Sequence, residues 1–317
     1  MPERAGGLTV FSAEDVRARL TYEAAIPVVR EAMIALSDGR VRQLLRSFIG
    51  VGEGRTFAIM PASLGERAAF GAKLVSVFTE DGKKAHEGVV VLFDGQAGRP
   101  VCIADAGEVT AIRTAASSAV ATDAMARKDA SVLAVCGTGR QAWGHVLAIA
   151  QVRRLKAVHV WSRDPGMSVD FARRVTDATG IAARGFPEAE TAVAEADIVC
   201  TVTAAADPIL LGAWIGPGTH VNVVGSSGPG QAEVDAELMA KSRFIVDHRE
   251  HVLAHGGEFL RAKAAGIVGD DCIVCEIGEV LAGAAAGRTS DAEITVYKSL
   301  GHAVQDLAAT AWLHGTL

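Results

Sequence analysis

The sequence predicts an α/β protein of two parts: a Rossmann doubly wound parallel sheet, and an α+β domain with a mainly antiparallel sheet. Strand-like and helix-like segments alternate from residue 131 onward, which predicts the parallel sheet. Short strand-like runs separated by turn residues between Gln43 and Ala106 predict the antiparallel one. A glycine turn at 137–142 follows an apolar run and opens a helical one, marking the first strand of the parallel sheet.

In chain order, Ser12-Ala-Glu-Asp is a helix cap, and residues 12–39 keep helical apolar spacing. Strands follow at 45–49, 56–60, 72–78 and 88–93. The turn Asp94-Gly-Gln-Ala-Gly98 returns the chain through a strand ending at Ile103. A helix over 111–126 leads to the glycine-turn strand. Beyond it come a helix at 141–152, a strand at 157–161, a helix at 169–179, a strand at 181–184 and a helix at 188–195. Further strands are expected at 198–203, 220–225 and 244–247. Residues 294–317 read as a strand plus a strongly apolar helix that rejoins the first domain. The expected domains are therefore 1–125 with 294–317, for substrate binding and dimerisation, and 126–293, for a dinucleotide.

With 317 residues, half of them hydrophobic, the chain can fill two cores. No apolar run reaches membrane-spanning length, and Met-Pro-Glu-Arg-Ala-Gly-Gly lacks the order of a signal peptide. A net charge of −6 without a basic cluster argues against nucleic acid as a partner. Five scattered cysteines, four of them in apolar runs, point to a reducing, cytoplasmic setting. Cys272-Ile-Val-Cys275 has no second Cys or His pair near it. His145, His159, His248 and His251 show no ligand spacing, so no metal is expected.

In Gly137-x-Gly139-x-x-Ala142 the first glycine permits a tight turn and the second lets backbone approach a pyrophosphate. The alanine allows close helix packing, and the helix N-terminus offers free N–H groups. About twenty residues after the glycines, an NAD site would place an acid on the ribose. The chain has Ser162-Arg163-Asp164 there: Ser162 repels nothing and Arg163 can pair with a 2′-phosphate, which favours NADP(H). Asp164 keeps NAD(H) possible, and a solvated loop arginine is the plainer reading of Arg163.

Four segments then resemble the ornithine cyclodeaminase/mu-crystallin family in order and along nearly the full length. They are Met60-Pro-Ala with Gly71-Ala-Lys-Leu-Val-Ser-Val-Phe78, Val109-Thr-Ala-Ile-Arg-Thr-Ala-Ala116, Gly137-Thr-Gly-Arg-Gln-Ala142, and Tyr297-Lys-Ser-Leu-Gly-His-Ala-Val-Gln-Asp-Leu307. The resemblance implies a nicotinamide nucleotide, a homodimer joined through the first domain, and a small amino or imino acid substrate. It implies that Arg46, Lys73 and Arg113 hold the substrate carboxylate and that Met60 lines the apolar side. Each cation taken singly reads equally as a surface or helix residue, whereas three facing one pocket require an anion. The cofactor contacts it implies are Arg113, Gly137, Thr138, Gly139, Arg140, Gln141, Ser162, Arg163, Thr203, Val224 and Ser299. Lys73 and Ser227 are the candidate catalytic residues.

Two departures from the cyclodeaminase pattern direct the functional expectation. Ser227, in Gly225-Ser-Ser-Gly-Pro-Gly230, stands where those enzymes carry an aspartate, and serine at its ordinary pKa is a poor general base. Ala58 stands where they carry an acid near the far amine. The leading expectation is an NADPH-dependent reductase of a cyclic ketimine, such as Δ1-pyrroline-2-carboxylate or Δ1-piperideine-2-carboxylate. The alternatives are ornithine cyclodeamination, an alanine-dehydrogenase-like or opine-type reductive amination, and a binding protein without turnover. His86 resembles part of a Ser-His-Gln motif of the reductase branch; a backbone-satisfied strand-end histidine reads equally well, and it is not placed in the catalytic set.

Overall fold

A computed structural model describes residues 3–5, 7–80 and 83–317, with side chains at 7–78 and 87–317. The side chain of His86 lies outside the described ones. The chain divides into a first unit, Met1–Arg113 with Gly301–Leu317, and a second, Thr114–Leu300.

The first unit is built on a mixed sheet in the order Glu3–Ala5, Leu8–Phe11, Pro100–Asp105, Lys83–Phe93, Phe70–Glu80 and Arg55–Ser63. Arg42–Gln43 and Ser47–Gly52 both pair with Arg55–Ser63 at the far edge. Leu8–Phe11 runs parallel to Pro100–Asp105; the other described pairings are antiparallel. At the expected turn, the Asp94 carboxylate accepts from the N–H groups of Gln96 and Ala97, and Gly98 adopts φ +66°. The single helix expected over 12–39 is two helices, Ala13–Arg19 and Tyr22–Ser37. Thr21 restarts the helix by accepting from Ala24 N–H, which a capping hydroxyl does better than an interior β-branched residue. The last helix, Ala303–His314, is buried on nearly every side against the sheet and Tyr22–Ser37.

The second unit holds an all-parallel sheet. Its order is Ala182–Phe186, Ala157–Trp161, Val132–Cys136, Ile198–Thr201, His220–Val223, Thr295–Lys298, Arg243–Val246 and Ile273–Glu276. Val132–Cys136 is the first strand of this sheet in chain order, and the spatial order reverses between it and Ile198–Thr201. Ligands of doubly wound sheets bind outside the strand ends at such a point.

Three expectations need correction. The strand expected at the start of the tail, Thr295–Lys298, belongs to the parallel sheet, where His220–Val223 and Arg243–Val246 bury it on both edges. The chain rejoins the first unit from Gly301 onward. The helix expected at 111–126 begins at Ala106, because Asp105 accepts from Glu108 N–H at 2.6 Å. That helix, Ala106–Met125, is itself divided between the units at Arg113/Thr114, so the boundary falls inside it rather than at 125/126.

All five cysteines are free thiols. Burial pushes both Cys272 and Cys275 up to about 11, far from the reactive thiolate range. Among the described residues, no helix is long and apolar enough to cross a membrane, and no cluster of His, Cys, Asp or Glu could hold a metal ion.

Candidate functional site

In the first unit Lys73 and Arg113 share one buried carboxylate, and Arg46 approaches Gly301 beside Arg113. Lys73 lies mid-strand in Phe70–Glu80, opposite Met60. Its ammonium donates to Thr110 Oγ1 at 2.5 Å and to Asp306 Oδ1 at 3.4 Å. Arg113 donates through Nε to the same Asp306 oxygen at 3.0 Å and through Nη1 to Gln305 Oε1 at 3.0 Å. Thr110 and Arg113 are three residues apart on one helix, hence on one face.

Arg46 reaches the group by a local irregularity. Gln43 pairs with Ala62 and Ser47 with Ile59, so the edge carries one more residue than its partner strand across this stretch. The extra residue falls in the break at 44–46 between the two edge strands, where the pairing with Arg55–Ser63 is interrupted and Arg46 sits. Arg46 Nη2 donates to the Gly301 carbonyl at 3.2 Å. Gly301 itself has φ +79°, and a Cβ there would lie 2.5 Å from Arg113 Nη1. The cationic heads of Arg46 and Arg113 thus approach one glycine that no other residue could replace without displacing a guanidinium.

Asp306 is fully buried, and its second oxygen, Oδ2, has no hydrogen-bond partner among the described residues. Among the described residues, Lys73 and Arg113 share the single carboxylate of Asp306, and two buried cations on one anion leave surplus positive charge. Burial pushes the Lys73 ammonium down to about 8, with Asp306 opposing the shift and Arg113 adding to it. An anionic ligand here would relieve that repulsion. Met60 and Ala58 are both buried and share a strand face. The cross-strand neighbours of Ala58 are Phe48 and Val75, so no acid stands in that row.

In the second unit the glycine turn has the shape the spacing predicts. Gly137 has φ +130°, and a Cβ there would press on the Val202 carbonyl at 3.0 Å. Gly139 is the cap of helix Arg140–Val152, with nothing within 4 Å of the Cβ position, and Ala142 is fully buried. Open space over the helix N-terminus at the sheet's reversal is where a pyrophosphate fits. Two buried polar atoms at this edge, Gln141 Oε1 and Ser299 Oγ, have no partner among the described residues. These features fit a dinucleotide. Thr138 is half-buried and Arg140 exposed; Val224 is buried just past His220–Val223.

At the end of the next strand Asp164 is already occupied. Its carboxylate caps helix Pro165–Thr179, accepting from the N–H groups of Gly166 and Met167. Ser162 Oγ donates to the Asp164 carbonyl at 2.7 Å and lies 3.0 Å from Ser168 Oγ, while Arg163 is exposed.

Thr203 turns inward: its N–H and hydroxyl both donate to Glu233 Oε1, at 2.6 and 2.7 Å. Of the serine pair, Ser226 is buried and Ser227 exposed. Asp306, Thr110, Gln305 and the buried acids Glu233 and Glu258 were not singled out from the sequence. Asp306, Thr110 and Gln305 fall inside segments that carry the family resemblance, and a charged residue within an apolar helix was the available signal for Asp306.

The sequence profile of the ornithine cyclodeaminase/mu-crystallin family matches residues 8–316. The ketimine reductase mu-crystallin of Mus musculus is 36% identical over 307 residues, covering 94% of each chain. A Δ1-pyrroline-2-carboxylate reductase of Bacillus cereus is 34% identical over 295 residues, covering 90% of each. Among solved structures, the Δ1-pyrroline-2-carboxylate reductase of Thermococcus litoralis, in complex with NADH and L-proline, superposes with a TM-score of 0.92. It is 30% identical, and the match covers 97% of this chain and 96% of that one. This chain belongs to the ornithine cyclodeaminase/mu-crystallin family.

Proposed function

We propose that the chain is a nicotinamide-dependent reductase of a small cyclic imino acid, converting Δ1-pyrroline-2-carboxylate or Δ1-piperideine-2-carboxylate to proline or pipecolate. The observation that carries this reading is the surplus of the buried Lys73 and Arg113 over the single carboxylate of Asp306, beside an apolar row at Ala58. That charge pattern suits one carboxylate on a compact apolar ring. The relatives named for pyrroline and ketimine reduction support it. The nicotinamide, when bound, is the reductant. Arg113 and Arg46 orient the carboxylate, and Lys73 adds a point charge to it. Met60 packs the ring, and an imine already protonated in solution asks no strong acid of Ser227. The test is oxidation of NADPH and NADH with five- and six-membered cyclic imino acids. Absence of turnover on both rings would refute the reading.

The preferred cofactor is NADP(H). Asp164 is committed to capping its helix, Ser162 is neutral, and Arg163 is free to meet a 2′-phosphate. Arg163→Ala is expected to weaken NADPH about tenfold or more while leaving NADH nearly unchanged, the loss of a charge-assisted pair of roughly 1.5–3 kcal/mol. Titration of both nucleotides by fluorescence checks this, and equal loss for the two would count against it.

Binding of a planar carboxylate should fall as pH rises through about 8, where Lys73 loses its proton. Pyrrole-2-carboxylate is the suitable probe, because it has a carboxylate but no basic nitrogen. Its inhibition constant should be flat below pH 7 and weaken above 8. A constant unchanged up to pH 10 would remove Lys73 from the carboxylate site.

The edge Ser47–Gly52 is exposed throughout and carries Phe48, Ile49 and Val51, with Leu44 exposed nearby. An apolar edge strand is a template for pairing. It supports a homodimer through the first unit, measurable by sedimentation. Five free thiols support a cytoplasmic location.

A further inference from the structure

Beneath the loop that presents Ser227, the second unit carries a buried charged cluster with no part in the readings above. Ser226, Glu233, Glu258 and Lys298 are each 2% exposed or less. Lys298 Nζ lies 2.9 Å from Glu258 Oε2 and donates to the Ser226 carbonyl at 2.7 Å and the Ser226 hydroxyl at 2.6 Å. The Ser226 hydroxyl in turn donates to Glu258 Oε1, which also accepts Glu233 N–H at 3.0 Å. Glu233 gathers the Thr201 hydroxyl at 2.8 Å and Gly225 N–H at 2.6 Å, besides the two donors of Thr203. Helix Gly257–Ala264 closes on the same loop, for a Cβ on Gly257 would strike the Gln231 carbonyl at 1.8 Å.

The ends of Ile198–Thr201, His220–Val223 and Thr295–Lys298 are therefore all tied to the Gly225–Ser226 turn. Burial works against the Glu258 carboxylate, yet Lys298 and Ser226 together hold its pKa below the usual range. A buried ion pair is a poor way to gain stability, since well-packed apolar side chains of similar volume hold a core at least as well. What this one provides is a fixed backbone. Every donor and acceptor of Ser226 named above faces inward, which leaves its neighbour Ser227 exposed at the carboxyl edge of the sheet.

We propose that Lys298, Glu258 and Ser226 are positioning residues that fix the Gly225–Gly230 loop and, through it, the hydroxyl of Ser227. The last step rests on the imine-reductase reading, which gives Ser227 a reaction to serve. Ser226→Ala is the informative variant, because it removes one hydroxyl and leaves the Lys298–Glu258 pair in place.

Two measurements test the proposal. In cofactor-free protein, amide exchange of the 224–232 segment should speed up about tenfold in Ser226→Ala, with the Ala157–Trp161 strand unchanged. In turnover of a cyclic imine, Ser226→Ala should lower kcat about tenfold with little change in KM. In a Ser227→Ala background the same substitution should change kcat less than about twofold. Unchanged exchange in the loop would overturn the positioning role. Independent, multiplying effects of the two serine substitutions would overturn its action through Ser227. If the unsubstituted protein reduces no imine, the reductase reading fails and with it the step through Ser227, while loop exchange still decides whether the cluster fixes the loop.

Discussion

Arg113→Ala and Lys73→Met will each lower kcat/KM for a cyclic imino acid by about a hundred- to thousandfold, or roughly 3–4 kcal/mol of transition-state stabilisation. Arg113 is locked by Asp306 through Nε and by Gln305 through Nη1, so its guanidinium is aimed before any ligand arrives. Such pre-orientation is what places the imine carbon for reduction, and its loss costs geometry as well as affinity. Lys73→Met keeps the length and packing of the side chain while deleting the charge. Asp306 retains Arg113 in that variant, so the fold should hold. Asp306→Asn differs in kind: it leaves Lys73 and Arg113 as two buried cations without their anion, at a cost of about 3–5 kcal/mol in stability. Steady-state kinetics together with NADPH titration separates the two outcomes. Dinucleotide affinity should survive in Lys73→Met, whose ammonium meets Thr110 and Asp306 and is no expected cofactor contact. Near-normal kcat/KM in either variant would remove the carboxylate assignment.

What the sequence made legible was local. The glycine turn needs only six adjacent residues and its flanking strand and helix, and the structure follows the spacing from Gly137 to Ala142. Lys73 and Arg113 were legible through the segments that carry the family resemblance, since each taken singly reads as an ordinary surface or helix residue. Asp306 was not singled out, because it sits in a helix so apolar that its alanines and leucines dominate the reading, and its partners lie about two hundred residues away. The break at 44–46 that carries Arg46 was equally hidden, since one extra residue along an edge has no mark in composition. The placement of Thr295–Lys298 failed for a related reason. A four-residue strand buried on both edges reads the same in either sheet, and its neighbour is set by long-range pairing rather than by its own residues. Ser226 and Ser227 are indistinguishable in sequence; only the positions of Glu258 and Lys298 turn one inward and leave the other exposed.

Ornithine should be neither cyclised nor tightly bound, whereas a protonated cyclic imine with one carboxylate should be reduced. The carboxylate end of ornithine would satisfy Arg113 and Arg46 as well as any imino acid does, so discrimination falls to the far amine. On the strand face that carries Met60, the next row is Phe48, Ala58, Val75 and Gly88, with no acid among them. An ammonium brought against that row loses its water and gains no counter-charge, which costs several kcal/mol unless it gives up its proton. The surplus of cations around Asp306 adds repulsion to that loss. A cyclic imine differs on both counts: its ring presents only carbon to the apolar row, and its positive charge lies beside its own carboxylate. Substituting Ala58→Glu supplies the missing anion and should raise ornithine affinity more than about tenfold while weakening the cyclic imine. Ammonia release and proline formation from ornithine are measured directly, next to NADPH oxidation with the imine. Rates from ornithine that rival those from the imine would assign the chain to cyclodeamination instead.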